Sequence, residues 1–317
     1  MRVAFLGNAP WSVPTVEALS TSQHRLMRVV TRVPRPAGRG TALTPTPVAR
    51  AARRLRAPLA EVETVKAGSG FEALAAEPFD VLVVVAYGEI LPGAVLALPR
   101  IAPLNLHFSL LPELRGAAPV QRALLQGLPV TGVTTIRMDE GMDTGPILLQ
   151  QEEPIRPTDD AGALGERLAA MGARLVVDTI DRLQSGTAQE RAQDDAMATY
   201  APKLRPEERV IEWSAGAEQV DRQIRAMAPE PGAITTFRGR NLKVLRASVR
   251  DGSFQGTAAP PAGVLFGLST ESGPRPAVGT GGHDVVILEA VVPEGRRHMS
   301  GEEFLRGYPP GPGELVG

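Results

Sequence analysis

The first part of the chain alternates apolar runs with stretches of helical period. Runs of apolar and β-branched residues predict buried strands at Val3–Leu6, Leu26–Thr31, Asp80–Val85 and Leu104–His107. The third run is apolar after its first residue, which is typical of a central parallel strand covered on both faces. Helical stripes fall between these runs, so the pattern predicts an α/β fold with a Rossmann-like, doubly wound, mostly parallel sheet.

The pattern changes after a polar, proline-containing stretch at residues 187–208. Before it, a long amphipathic helix begins near Thr158 and ends at Gly186. After it, one helix precedes short strands, predicted at Ala233–Phe237, Leu242–Val249, Val264–Phe266 and Val285–Val292. We therefore predict a first domain at 1–188, a linker at 189–207 and a smaller C-terminal β-barrel, OB-like, at 208–317.

Composition narrows the class of protein. The 317 residues are 43% hydrophobic and 22% charged, with a formal net charge of −1 and no cysteine. Disulfides, thiolate metal sites and a cysteine nucleophile are excluded. Val3–Leu6 is too short for the apolar region of a signal peptide, and no apolar run approaches transmembrane length. We expect a cytoplasmic protein.

Local charge is uneven. No acid occurs between Glu17 and Glu61, where nine arginines lie: Arg25, Arg28, Arg32, Arg35, Arg39, Arg50, Arg53, Arg54 and Arg56. Prolines and glycines from Val33 to Pro47 exclude a regular element there and predict a long basic loop. Such a patch is typical of contact with a polyanion. A general preference for arginine over lysine would explain the residue type but not the missing acids.

The candidate chemistry lies at the end of the fourth predicted strand. Period-two geometry puts Asn105 and His107 on one side of the backbone, at the sheet edge where ligands bind in open α/β folds. An amide can donate to a developing oxyanion, an imidazole can move a proton, and Asp143 in a glycine-rich turn could orient the imidazole. The alternatives are a buried hydrogen-bonded pair and a carboxylate that only forms a turn.

Other kinds of site have less support. No serine stands in a G-x-S-x-G elbow, so direct acyl transfer is preferred to a covalent acyl-enzyme. The turn at Gly7–Ser12 lacks G-x-G-x-x-G, so we infer neither a dinucleotide nor ATP. The histidines other than His107 are scattered without partners at the spacing of a zinc site. We expect no metal or nucleotide cofactor.

Several blocks resemble the 10-formyltetrahydrofolate-dependent formyltransferases. They are Arg35–Gly40, Val84–Gly88, Asn105–Pro112, Arg115–Pro119, Met138–Gly145 and Tyr200–Leu204. The resemblance runs from Val3 to about Ser248 and implies that 10-formyltetrahydrofolate is the formyl donor. By matching position it implies three sets of site residues. These are catalytic Asn105, His107 and Asp143; folate-binding Ser109, Leu110, Leu111, Pro112, Ile90 and Leu91; and tRNA-binding Arg35 and Arg39.

The basic loop and the C-terminal domain indicate which acceptor is used. Both features resemble the family members that formylate initiator methionyl-tRNA, and we expect a monomer with that partner and no membrane contact. One alternative is a family member acting on a small amine such as glycinamide ribonucleotide or an amino sugar nucleotide. Another is a non-catalytic RNA-binding module, which would give no reason for Asn105, His107 and Asp143 to occur together.

The basic loop gives a testable prediction. Arg39→Ala should weaken the use of tRNA and make the negative slope of log affinity against log salt shallower by about one, because a phosphate contact is lost. Folate binding should stay unchanged. Measuring tRNA and folate affinities across a salt series tests this, and an equal loss of both would contradict it.

Overall fold

Seven strands in the N-terminal part of the chain form one sheet. The computed structural model describes residues 1–36, 43–250, 260–271, 273–282 and 284–317. The strands up to residue 154 are β1 (Arg2–Gly7), β2 (Arg25–Arg32), β3 (Arg35–Pro36), β4 (Leu43–Thr44), β5 (Leu59–Val62), β6 (Val81–Val85), β7 (Ala102–His107), β8 (Val130–Arg137) and β9 (Ile147–Pro154). The sheet order is β5-β2-β1-β6-β7-β8-β9. The first five strands in that order run parallel, and β8 and β9 are antiparallel additions.

Helices connect and cover these strands. They are α1 (Val13–Thr21), α2 (Pro47–Arg54), α3 (Gly68–Ala75), α4 (Gly93–Leu96), α5 (Pro119–Gln126) and α6 (Ala161–Ser185). All of β6 is buried, as expected for a central parallel strand. On β7, Leu106 faces α6, and a Cβ at Gly172 would lie 2.6 Å from its Cδ2. Of the described helices, none is both long and apolar enough to cross a membrane.

The basic segment contains more order than its composition predicts. Residues 37–42, which include Arg39, lie outside the described residues. On either side of them, β3 and β4 form a two-stranded antiparallel ladder. The prediction that Val33 to Pro47 holds no regular element was therefore wrong. The edge strand β5 was also missed, because Leu59–Val62 is short and only partly buried.

The C-terminal part is antiparallel and rich in β-structure. Its elements are α7 (Ala217–Met227), β10 (Ala233–Phe237), β11 (Arg240–Arg250), β12 (Leu265–Thr270), β13 (Gly273–Gly279), β14 (Val285–Pro293), β15 (Met299–Ser300) and α8 (Gly301–Gly307). The strand order is β10-β11-β14-β13-β12, with β15 on β14. Bridges Phe237–Val316 and Val264–Leu315 connect the final residues with both ends of this order. The predicted β-rich second domain is confirmed.

β13 was missed because two prolines interrupt its sequence. Pro274 and Pro276 lie opposite Ser269 and Gly267 of β12. The pairing of β13 with β14 is limited to Ala277–Gly279. The prolines therefore fall where β13 has one neighbour, which tolerates a residue without an N–H.

By contacts, the chain divides into two compact units. One consists of Met1–Pro119, Val130–Pro154 and Gly165–Pro202; the other of Val120–Pro129, Ile155–Leu164 and Lys203–Gly317. Within the second unit, Arg122 binds Glu208 through two hydrogen bonds of 2.7 and 3.0 Å. The Arg122 guanidinium and the backbone N–H of Arg205 lower the pKa of Glu208 to about 2.

This ion pair leads us to predict how the free energy of unfolding depends on pH. Glu208→Gln should lower the free energy of unfolding of the second unit by about 1 kcal/mol at pH 7. Since the folded pKa is depressed, the stabilisation is present above about pH 4.5 and disappears as the pH falls towards 2. Denaturant unfolding followed by Trp213 fluorescence in a Trp11→Phe background measures it.

Glu207→Gln is the control, because the Glu207 side chain is 64% exposed. It should change stability little at either pH. A loss for Glu208→Gln that stays constant from pH 7 to pH 2 would contradict the assignment.

Candidate active site

Strands β6 and β7 bring the candidate residues to one edge of the sheet. They pair in parallel, with Val84 opposite Asn105, so both carboxyl ends point the same way. Asn105 and His107 alternate with buried Leu106 and share a face of β7. The segment that follows β6, residues 86–91, therefore runs beside them.

The carboxylate of Asp143 joins the set. Its Oδ1 accepts a 3.1 Å hydrogen bond from Asn105 Nδ2, and its Oδ2 accepts one of 2.9 Å from the backbone N–H of Gly116. His107 Nδ1 lies 3.5 Å from the same Oδ2. Asp143 has a φ of 57°, a left-handed conformation that aspartate tolerates better than most residues. Asn105, His107 and Asp143 thus converge although 38 residues separate the first from the last.

The buried ring of His107 has its two nitrogens in different roles. Nε2 lies 2.9 Å from the carbonyl oxygen of Leu114. A carbonyl only accepts, so Nε2 carries a hydrogen and donates it. Nδ1 is then the nitrogen left to exchange a proton, and it faces Asp143. If neither group carries a further proton, Nδ1 and Oδ2 face each other as two acceptors, so a proton taken up here would lie between them.

A cleft of about 120 Å³ opens beside Asn105 and Asp143. Its lining residues are Glu89, Ile90, Leu91, Asn105, Ile136, Met138, Asp139, Gly141, Met142 and Asp143. Ile90 and Met142 are 72% and 55% exposed, which is unusual for large apolar side chains. Apolar walls with a few polar groups at one end are typical of a site for a small organic molecule.

A partly buried polar network supports the wall of this cleft. Glu89 accepts hydrogen bonds from Arg32 Nη2 at 2.9 Å and from Thr64 Oγ1 at 3.0 Å. Arg32 ends β2, so this ion pair ties the base of the basic loop to the cleft. Burial, followed by the charge of Glu89, raises the pKa of Tyr87 to about 12, so this phenol stays neutral at physiological pH.

The six residues expected to bind folate do not share one cavity. Ile90 and Leu91 line the cleft with Asn105. Leu110, Leu111 and Pro112 instead line a second cavity of about 470 Å³, with Gln150 and Gln193 among its other walls. Ser109 is buried, and its hydroxyl donates to the carbonyl of Glu113 at 2.6 Å.

Much of the positive charge in the arginine-rich run is neutralised. Arg35 is exposed and lies 3.7 Å from Glu63. Acids from outside the run pair with five of its arginines: Glu77 with Arg28, Glu89 with Arg32, Glu63 with Arg35, Glu61 with Arg53 and Glu17 with Arg54. The local electrostatic field is therefore weaker than a count along the sequence implies.

Two supporting backbone groups were not predicted. Gly116 supplies an N–H to Asp143, and Leu114 supplies the carbonyl that fixes His107. The segment that contains both residues is held by residues 199–201: Leu114 N donates to Thr199 Oγ1 at 2.8 Å, and Ala118 N donates to Ala201 O at 3.1 Å. The glycine at 116 was the one local signal, because its φ of 122° favours glycine.

Comparison with known proteins places these features in context. A family model described as "Formyl transferase" matches residues 1–180, and one described as "Formyl transferase, C-terminal domain" matches residues 203–309. A methionyl-tRNA formyltransferase of Moorella thermoacetica is 39% identical over 317 residues, covering 100% of this chain and 99% of that protein. One of Chloroflexus aurantiacus is 42% identical over 307 residues, covering 97% of each.

A solved structure shares the fold at lower identity. The N-formyltransferase of Helicobacter canadensis, in complex with folinic acid and dTDP-3-aminofucose, gives a TM-score of 0.64 at 18% identity. The match covers 90% of this chain and 98% of that one. It shows that the arrangement of elements is common to both chains.

The turn at Gly116 gives a prediction about stability. A Cβ there would lie 2.8 Å from the carbonyl oxygen of Ala201, in addition to the strain at a φ of 122°. Gly116→Ala should lower the free energy of unfolding by about 2–3 kcal/mol. Gly186 has a φ of 70° with no atom within 4 Å of a built Cβ, so Gly186→Ala should cost about 1 kcal/mol. Denaturant unfolding followed by circular dichroism compares them, and equal losses would contradict the steric argument.

Proposed function

The chain belongs to the formyl transferase family, and on that premise we propose that Asn105, His107 and Asp143 form its catalytic set. The observation that carries this proposal is the meeting of Asn105 and His107 on one carboxylate beside a cleft. Each side chain offers what formyl transfer requires: a donor for an oxyanion, a group that exchanges protons, and an acid that orients it.

The enzyme transfers the formyl group of 10-formyltetrahydrofolate to the α-amino group of methionyl-tRNA. Relatives with that activity are about 40% identical over almost the entire chain, including the second domain. The product, N-formylmethionyl-tRNA, serves translation initiation, and we take initiator methionyl-tRNA as the acceptor. A small amine such as glycinamide ribonucleotide would leave the C-terminal domain without a role.

The geometry suggests how the chain's residues contribute. 10-Formyltetrahydrofolate supplies the formyl carbon, which the neutral amine of methionyl-tRNA attacks. Asn105 donates to the formyl oxygen as negative charge develops there, a contribution of about 3–4 kcal/mol for one well-placed donor. Asp143 holds His107, and the pair accepts a proton from the attacking nitrogen and returns one to the departing N10. Nδ1 is the ring nitrogen available for this, because Nε2 is bound to Leu114.

The proposed substrate contacts differ in their support. The apolar side chains of Ile90 and Leu91 suit the ring system of folate, and they line the cleft that holds Asn105. The assignment of Ser109, Leu110, Leu111 and Pro112 rests on family resemblance. So do the tRNA contacts of Arg35 and Arg39, of which the exposed Arg35 is among the described residues.

The remaining proposals concern organisation. We propose a catalytic domain at 1–188, a linker at 189–207 and a tRNA-binding domain at 208–317, acting as a monomer in the cytoplasm. A β-rich second domain suits RNA, because small β-domains commonly hold nucleic acid. Size-exclusion chromatography with light scattering tests the monomer.

The catalytic set predicts large losses of turnover. Asn105→Ala should lower kcat by about 100- to 1000-fold, because a donor to the developing charge is removed. His107→Ala should lower kcat by about 100- to 10,000-fold. The measurement is formylation of methionyl-tRNA at saturating 10-formyltetrahydrofolate, with glycinamide ribonucleotide as a second acceptor.

The controls are the melting temperature of each variant, which must stay above the assay temperature, and its tetrahydrofolate affinity, which should change little. Near-normal kcat for either variant would disprove its assigned role. Turnover of glycinamide ribonucleotide that exceeds turnover of methionyl-tRNA would contradict the acceptor.

A further inference from the structure

Gln193 lies in the segment that the sequence predicts as a linker, yet it binds the loop that carries Asp143. Its Nε2 donates to the backbone carbonyls of Asp143 and Gly145, each at 2.7 Å. These two carbonyls flank Thr144, so one amide group clamps the turn on both sides.

Arg115 fixes the orientation of that amide. Its Nε and Nη2 donate to Gln193 Oε1 at 3.0 and 2.9 Å, and Nη2 also donates to Asp195 at 2.8 Å. The Arg115 side chain is 3% exposed, so its charge depends on these acceptors. If the Gln193 amide were flipped, its NH2 group would face the N–H groups of Arg115, and its oxygen would face the carbonyl oxygens of Asp143 and Gly145. One orientation alone satisfies all four contacts.

The clamped turn is one that needs support. Asp143 has a φ of 57°, which costs a non-glycine residue free energy. Gly145 is packed so closely that a Cβ would lie 1.8 Å from the carbonyl oxygen of Arg137. The side chain projecting from this turn reaches Asn105 and Gly116 and lies beside His107, so a small rotation of the turn would shift all three contacts.

The geometry points to Gln193 as a positioning residue for formyl transfer, held in register by Arg115 and acting through the backbone of Asp143. This inference rests on the proposed catalytic set. Gln193 has no role in the chemistry itself. A misplacement near 1 Å at a reacting group can cost about 100-fold in rate, so loss of the clamp should lower kcat by about 10- to 100-fold.

Gln193→Glu removes the two hydrogens that Gln193 donates to the carbonyls of Asp143 and Gly145, and so tests their contribution alone. One carboxylate oxygen keeps the contact with Arg115, whereas the other faces two carbonyls as a second acceptor. Gln193→Leu would also strip the buried guanidinium of an acceptor, and is therefore less informative. Gln223→Glu is the matched control: Gln223 is half-buried, and its Nε2 donates to the carbonyls of Glu208 and Val210 at 2.9 and 2.7 Å.

The assay is steady-state formylation of methionyl-tRNA by the full chain, and the melting temperature of each variant is measured beside it. We expect Gln193→Glu to lower kcat about 10- to 100-fold with little change in either KM, and Gln223→Glu to keep kcat.

Several outcomes would overturn the inference. They are an unchanged kcat, an equal loss of kcat in Gln223→Glu, or a raised donor KM with normal kcat. The last would make Gln193 a wall of the second cavity, which it lines. Asp143→Asn, assayed in parallel, separates the two proposals. Full activity in that variant would disprove the catalytic set, whereas its inactivity beside an active Gln193→Glu would disprove the role of Gln193 alone.

Discussion

The site depends on one carboxylate, that of Asp143, which is only 16% exposed. A largely buried charge is costly unless it is hydrogen-bonded. Its neighbours come from separate parts of the chain: the amide of Asn105 and the ring of His107 on β7, and the N–H of Gly116 after it. Satisfying that charge therefore fixes the end of β7, the turn at 116 and the loop at 143 in one arrangement. It also gives the two polar side chains of β7 a common partner.

The features that were predictable from sequence follow from regular backbone geometry. Asn105 and His107 share a face because strands alternate, and they meet the loop after β6 because parallel strands end at one edge. The supporting groups lack such a pattern. Leu114 contributes a carbonyl, which every residue has, and Gln193 lies 50 residues from Asp143. Gln193 stands in a polar stretch whose composition predicts a linker. Local composition does not reveal hydrogen bonds to residues distant in the sequence.

Charge and strand patterns along the sequence are incomplete guides for a similar reason. The arginine-rich run is free of acids along the sequence, but the carboxylates that neutralise it, such as Glu77 and Glu89, come from elsewhere. In β13, proline argued against a strand, yet the prolines occupy positions with a single neighbour. Both differences come from properties that only the neighbours in space determine. What remained predictable was the order of elements and the class of each domain.

The contact between His107 Nε2 and Leu114 limits how many protons the site can hold. With one ring nitrogen committed to a carbonyl, a single exchangeable position remains between Nδ1 and Asp143. In the proposed reaction, the attacking neutral amine releases one proton and N10 takes up one, so the pair would end each cycle as it began. Such a turnover would be proton-neutral and would require no exchange of protons with bulk water.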